Sequence, residues 1–229
     1  MPNKIAVLTG LSTYYEDKST GLVNLPYSCK NILDLTKKLT SLNWSVFPST
    51  IESLATKDNI LKLLEEKINL LHNDDWLLFY FTGHGNKVPI NHDWNNTIMY
   101  LVTATDNITS WKDPPPNQFL TDSDYKNIIN LFNQKCKNGH LISILDCCYS
   151  FGLIDNFNGQ TEFHSIFASA DLGHESYSFS DNSIFFSSFE QVWDDTTFSA
   201  MGDDLINLTN LTIDSCVVQL ATNFSNNSF

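Results

Sequence analysis

The sequence predicts an α/β fold with a mostly parallel central sheet flanked by helices. Short apolar runs of strand length alternate with longer stretches whose apolar residues recur at helical spacing. Two of the runs, Trp76-Leu77-Leu78-Phe79-Tyr80-Phe81 and Leu141-Ile142-Ser143-Ile144-Leu145, read as buried strands. Each stops abruptly at polar, reactive residues: Thr82-Gly83-His84-Gly85 after the first, Asp146-Cys147-Cys148-Tyr149-Ser150 after the second. Ligands of open α/β sheets bind at the C-terminal ends of the strands. His84 and Cys148 are therefore the candidate functional pair.

Taken in order, Ile5-Ala6-Val7-Leu8 is a buried strand ending at Thr9-Gly10, and the polar stretch from Ser12 to Asn24 is a loop on the site edge. From Cys29 to Leu42, the apolar residues Ile32, Leu33, Leu35 and Leu39 predict an amphipathic helix. Trp44 to Phe47 is a strand ended by Pro48. Thr56 or Asp58 caps a second helix, whose buried stripe is Ile60, Leu63, Leu64, Ile68 and Leu71. With the Trp76 strand the order is β-α-β-α-β, the pattern of a mostly parallel sheet. Lys87 to Trp111 reads as less regular, with a short strand at Met99–Val102 and a turn at Thr105-Asp106-Asn107; Pro114-Pro115-Pro116 is a hard stop. Asp122 or Thr121 caps a helix ending near Lys137-Asn138-Gly139. After the cysteine pair come a loop from Phe151 to Thr161, a strand from Phe163 to Ala168 and a polar site-side loop from Ser169 to Asn182. A helix follows from Ile184 to Val192, and Leu205 to Leu220 reads as partly helical. The expected organisation is one domain over residues 1–221 and a flexible tail or linker start over 222–229.

At 229 residues, 42% of them apolar and with 16 Phe, the chain is expected to fold around a large core. Its 26 Asp plus Glu against 13 Lys plus Arg give a formal net charge of -13. That field repels nucleic acid and anionic membranes, so neither is an expected partner. It favours solubility or a basic peptide. Five cysteines, an odd count with no zinc-like spacing, suggest free thiols in a cytoplasmic protein and no bound metal. The first apolar run is too short for a signal peptide, and no run approaches the roughly 18 residues of a membrane span. The Asn-x-Ser/Thr triplets follow from a composition rich in Asn and Thr.

A cysteine attacks acyl carbons once it is a thiolate, and an imidazole stabilises that form. Gly83 and Gly85 allow tight turns and leave room for a substrate backbone, and the amides of Gly85 and Cys148 are candidate oxyanion donors. Strand alternation points Cys147 the opposite way from Cys148, toward the core. An exposed, unpaired Asp146 at the floor of a cleft would favour a cationic side chain.

These segments, with Leu25-Pro26-Tyr27-Ser28-Cys29-Lys30-Asn31 opening the first helix, resemble the metacaspase and orthocaspase branch of caspase-like cysteine peptidases. The family pattern is Ser-Gly-His-Gly after one strand and Asp-Ser/Cys-Cys-His-Ser-Gly after a later one. Phe167-Ala168-Ser169-Ala170 and Asn182-Ser183-Ile184-Phe185-Phe186 are similar to the segments beyond the nucleophile. The resemblance spans about residues 4 to 192. It implies a caspase-like three-layer sandwich, with His84 as base and Cys148 as nucleophile. Asp146, Cys29 and Thr82 would fall in the pocket for the residue before the scissile bond, and cleavage would follow Arg or Lys. It implies no cofactor, with calcium as an activator in many members, and roles in programmed cell death or immunity. Four departures stand out: Ile32 replaces a pocket acid, Thr82 a serine, Tyr149 a histidine and Phe151 a glycine. Asp34 is near Ile32 but should turn away on the helix. No Lys or Arg follows Lys137 in this sequence, so self-cleavage at a basic site would fall upstream or beyond it, which turns attention to an activating partner, self-assembly or a small ligand. The family sheet also has further strands after the nucleophile half, and the chain looks short for them. The alternative is a caspase-like signalling or assembly module with little or no catalysis. No Gly-x-Ser-x-Gly elbow, dinucleotide fingerprint or P-loop is present, which disfavours another hydrolase or a nucleotide fold.

Overall fold

The computed structural model describes residues 2–14, 22–104, 118–153, 164–170, 175–176, 178–179, 182–192 and 219–222. In chain order the elements are β1 (Lys4–Gly10), α1 (Tyr27–Ser41), β2 (Ser45–Ile51), a 3-10 turn at Glu52–Leu54, α2 (Lys57–Asn69) and β3 (Trp76–Thr82). Then come β4 (Gly85–Ile90), β5 (Asp93–Leu101), β6 (Leu120–Thr121), α3 (Asp122–Lys135), β7 (His140–Asp146) and a 3-10 turn at Ser150–Leu153. The last are β8 (His164–Ala168), β9 (Ser178–Phe179), β10 (Asn182–Ser183), α4 (Ile184–Val192) and β11 (Gln219–Thr222). The central sheet has six strands in the order β11-β8-β7-β3-β1-β2. β2, β1, β3, β7 and β8 run parallel, and β11 closes one edge antiparallel to β8.

The period-2 alternation of the strands builds the three layers. Leu77, Phe79 and Phe81 of β3 and Val7 of β1 face one core, filled by Ile60, Leu64 and Ile68 of α2 and by Tyr125, Ile129 and Phe132 of α3. Leu78 and Tyr80 face the other, filled by Ile32, Leu35 and Leu39 of α1 and by Phe185, Phe186 and Phe189 of α4. Both faces of the sheet are thus covered by helices. The interruption of β7 by Ser143 is absorbed inside: its hydroxyl bonds to Tyr125 Oη and, at 2.8 Å, to His164 Nε2.

The caps resolve to threonines. Thr56 Oγ1 accepts from Asn59 N at the start of α2, and Thr121 forms a reciprocal capping box with Asp124 at the start of α3.

Four expectations need correction. Pro48 does not end its strand: β2 continues to Ile51. It is an edge strand whose register against β1 shifts between Val7 and Thr9, and an edge with an irregularity tolerates a residue without an amide hydrogen. The described part of the stretch after Lys87 is more regular than expected: it forms an antiparallel hairpin, β4 with β5, extended by β6, and the strand expected from Met99 is the end of β5. Its two-residue turn places Asn91 and His92 at positive φ, 53° and 63°, the primed geometry that matches strand twist. The polar loop before α4 contains the short ladder β9–β10. Finally, the stretch from Leu205 to Leu220, read as helical in part, ends in a strand: Gln219 and Leu220 belong to β11. That strand adds to the sheet in a chain expected to be short of strands, and it includes Thr222 of the expected tail. The turn at 105–107, the prolines at 114–116 and most of the 151–161 loop lie outside the described residues, as do 205–218 and 223–229.

The turn entering β3 is fixed by one carboxylate. Buried Asp75 accepts from Asn3 N at 2.7 Å, Asn3 Nδ2 at 3.0 Å and His72 N at 2.8 Å, tying the start of β1 to the end of α2. Burial pushes its carboxyl up, but the hydrogen bonds from Asn3 and His72 outweigh burial and hold it below the usual range. Asp75→Ala leaves these donors unpaired and is expected to cost about 2 kcal/mol in urea unfolding. A change below roughly 0.5 kcal/mol would show that solvent replaces the carboxylate without loss.

Candidate active site

The two candidate residues leave the sheet at the same level. β3 and β7 are neighbours in parallel register, and their last matched pair is Thr82 with Asp146. Gly83 N donates to Asp146 O at 3.3 Å, so the chains are still bonded as they turn away. His84 and Cys148 each stand two positions beyond that pair. A Cβ added at Gly85 would lie 2.2 Å from the Cys148 carbonyl oxygen and 3.0 Å from Cys147 Sγ. The backbone after His84 therefore rests directly on that of Cys148. This revises the expectation that the glycines leave room for a substrate. The space beside Gly85 is filled by Cys148, and a Cβ at Gly83 would meet Tyr14 Oη at 2.7 Å. Tyr149, just after the cysteine, sits at φ 54°, a left-handed turn that non-glycine residues seldom adopt.

His84 is held from several sides. Its amide donates to Tyr14 Oη at 2.9 Å, and the Tyr14 ring stands edge-on at 4.5 Å. Its carbonyl accepts from Val102 N at 2.9 Å, and its Nε2 lies 2.8 Å from Val23 O. A carbonyl oxygen only accepts, so the neutral ring carries its proton on Nε2 and its basic lone pair is on Nδ1. Burial lowers the pKa of His84, with the Val23 carbonyl acting the other way.

Cys148 is half-buried, and its thiol points to Ser176 O at 4.0 Å. Burial pushes its pKa up; the Ser176 bond lowers it, while Glu175 and Asp146 add to the rise. A raised thiol and a lowered imidazole make a neutral resting pair. Cys147, as alternation requires, is 2% exposed within the core. Its peptide is clamped by Ser169, whose Oγ accepts from Cys147 N and donates to Cys147 O, each at 3.0 Å.

Asp146 differs from its expected state. It is neither exposed nor unpaired but 4% exposed, accepting from Ser183 Oγ at 2.5 Å and from Tyr80 Oη at 3.5 Å. Burial pushes its carboxyl up to about 7, against the lowering by Ser183 and Tyr80. Thr82 is fully buried beside it, its Oγ1 at 3.4 Å from Ser28 Oγ. The hydrogen bonds of Cys29 run elsewhere: Sγ to Glu52 Oε1 at 3.1 Å and N to Ser12 Oγ at 3.0 Å. Register thus brings Thr82 and Asp146 together, whereas Cys29 is engaged with Ser12 and Glu52. Ile32 packs in the core, and Asp34 pairs with Lys30 at 3.5 Å and Lys37 at 3.0 Å along the helix surface, turned away as expected. Among the described residues no group of three or more His, Cys, Asp or Glu is placed to hold a metal ion.

Sequence reasoning missed Tyr14, Val23, Ser169 and Ser183. Tyr14, one of two adjacent tyrosines in a mostly polar loop, carried a weak signal. Val23 acts through its backbone carbonyl, and Ser169 and Ser183, although within the segments similar to the family, through common hydroxyls whose partners the sequence does not mark.

Gly85→Ala forces the Cys148 backbone to move. A loss of about 1–3 kcal/mol in stability is expected, with slower alkylation of Cys148 by iodoacetamide. Unchanged alkylation would mean that the two turns move independently. For Asp146 the folded pKa exceeds the unfolded value of about 3.9. Its contribution is therefore complete below pH 4, is lost as pH rises toward 7, and is constant above that. The stability difference between Asp146→Asn and wild type should shift in favour of the variant between pH 4.5 and 7.5, by on the order of 1 kcal/mol per pH unit. A flat difference would place the carboxyl in water.

The family model described as metacaspase, peptidase C14 domain, matches residues 22–157, which hold both strand ends. A comparison with curated proteins gives no match. Among solved structures, the crystal structure of protein GSU0716 from Geobacter sulfurreducens is similar, with a TM-score of 0.72 over 99% of this chain and 95% of that one. At 12% identity that likeness speaks for the fold alone, and with the family match the fold is caspase-like. The family match covers more than half of the chain, and the chain belongs to the metacaspase, peptidase C14 domain family.

Proposed function

We propose that this chain is a cysteine endopeptidase in which Cys148 is the nucleophile and His84 the base. The observation that carries the reading is the shared register: both residues sit two positions beyond the Thr82–Asp146 pair, with Nε2 of the imidazole committed to Val23. The Cys148 proton passes to His84 Nδ1 and the thiolate attacks the scissile carbonyl carbon. The resulting oxyanion accepts from the amides of Gly85 and Cys148. Collapse breaks the C–N bond, and the imidazolium returns its proton to the departing amine, leaving a thioester. Water, deprotonated by His84, then attacks the thioester, releasing the acid and restoring the thiol.

Asp146 is the proposed anchor for an Arg or Lys side chain, with Thr82 as pocket wall and Cys29 at its outer edge. A cation arriving beside a carboxyl held near pH 7 favours its ionised form, so binding itself charges the pocket. The substrate is then a basic protein or peptide segment, in keeping with the acidic chain. We further propose that calcium, an activating partner or self-assembly switches on the neutral resting pair, and that the protein acts in the cytoplasm, in cell death or immunity. No described helix is long and apolar enough to cross a membrane. A second reading is favoured by the sealed state of Asp146 and by Ile32 at the position of the family acid: a signalling or assembly module with little catalysis.

Peptides ending in Arg, Lys, Asp or a neutral residue separate these readings, with wild type, Cys148→Ala and His84→Ala compared with and without calcium. Cleavage after Arg or Lys is expected, abolished in Cys148→Ala and reduced about 100-fold or more in His84→Ala. Cleavage after another residue would keep the enzyme and remove the role of Asp146. No turnover, together with no labelling of Cys148 by an acyloxymethyl ketone peptide, would favour the assembly reading.

A further inference from the structure

We propose that Glu52 is a positioning residue for His84, an inference that rests on the peptidase reading for its kinetic consequences but not for its structural one. Glu52 follows β2 and adopts φ 48°, a left-handed conformation that costs a side-chain-bearing residue about 1 kcal/mol or more. The turn aims its carboxylate back at the loop after β1. Oε2 accepts from Ser12 N at 3.3 Å and Thr13 N at 3.2 Å, while Oε1 accepts from Cys29 Sγ at 3.1 Å. Three donors thus converge on one acid.

The loop they fix carries the grip on the imidazole. Ser12 O accepts from Leu25 N at 2.8 Å, and Tyr14 N donates to Asn24 Oδ1 at 2.8 Å, so residues 12–14 and 22–25 are tied into one unit. From that unit Tyr14 Oη takes the His84 amide and Val23 O takes Nε2. Glu52 touches neither His84 nor Cys148 in any of these bonds. It acts through the unit that sets the tautomer of His84 and hence which ring nitrogen can accept a proton. A carboxylate accepting from uncharged amides makes charge-assisted bonds stronger than neutral ones. This adds a polar anchor to a loop whose Tyr14, Leu22 and Leu25 are already buried in the core.

The test uses Glu52→Ala, Glu52→Gln and the whole chain. Long-range 1H–15N spectra, with the His84 signals assigned through His84→Gln, report the tautomer. The wild type is expected to hold its proton on Nε2, and Glu52→Ala to give a mixture. In turnover, Glu52→Ala is expected to lower kcat about 10- to 100-fold with KM within about threefold. Glu52→Gln retains an acceptor for the Ser12 and Thr13 amides and should recover most of both. Should Glu52→Ala fail to fold, Glu52→Asp, one methylene shorter, is read the same way. A folded Glu52→Ala, or in its place Glu52→Asp, with an unchanged His84 tautomer overturns the proposal. If the wild type cleaves no peptide, the peptidase reading fails while the tautomer comparison still decides the role of Glu52.

Discussion

Backbone hydrogen bonds between two parallel apolar strands set the height at which reactive residues leave the sheet. From Trp76 opposite His140 to Thr82 opposite Asp146, β3 and β7 match without a shift. A slip of one residue would turn every side chain of a strand to the other face, exchanging Phe79 and Phe81 for Leu78 and Tyr80. The helices on the two sides would then meet the wrong surfaces. The core thereby enforces the register, and the register brings His84 and Cys148 out together. Their proximity needs no dedicated contact between the two side chains, only two strands that cannot slide.

The turns beyond the strand ends are held by other means. Past the last matched pair, packing gives way to hydrogen bonds from scattered loops: Tyr14 and Val23 on the histidine side, Ser169 on the cysteine side, Ser183 beneath. These bonds hold neutral groups. Burial disfavours the thiolate, the imidazolium and the carboxylate alike, so desolvation opposes every charge that forms there.

The strands and helices were legible because each obeys one periodicity and has plain ends. The β3 and β7 runs, the α2 stripe and the α4 aromatics all follow local rules, and the inward turn of Cys147 needs only alternation. The β4–β5 hairpin was hidden because Gly-Asn-Lys-Val-Pro-Ile lacks a clean alternation and its turn uses Asn91-His92 without a glycine. β2 was cut short because Pro48 reads as a stop wherever the strand's place in the sheet is unknown. The state of Asp146 was out of reach for a different reason. It depends on Ser183, which lies 37 positions away in sequence, and on Tyr80 from the adjacent strand. Glu52 likewise resembles any surface acid until its backbone conformation is seen.

The proline in β2 also bears on how copies of this chain can meet. A strand at the rim of a sheet normally offers an unbroken row of amide hydrogens and carbonyls to any passing strand. Here the row is broken at Pro48, and the accompanying register shift bends the rim. Lateral growth of the sheet on that side is discouraged without any charged guard. Among the described strands the opposite rim is β11, which contains no proline. Among the described strands the sheet is thus asymmetric in its capacity for extension: one border carries a permanent gap in its row of donors, and the other does not.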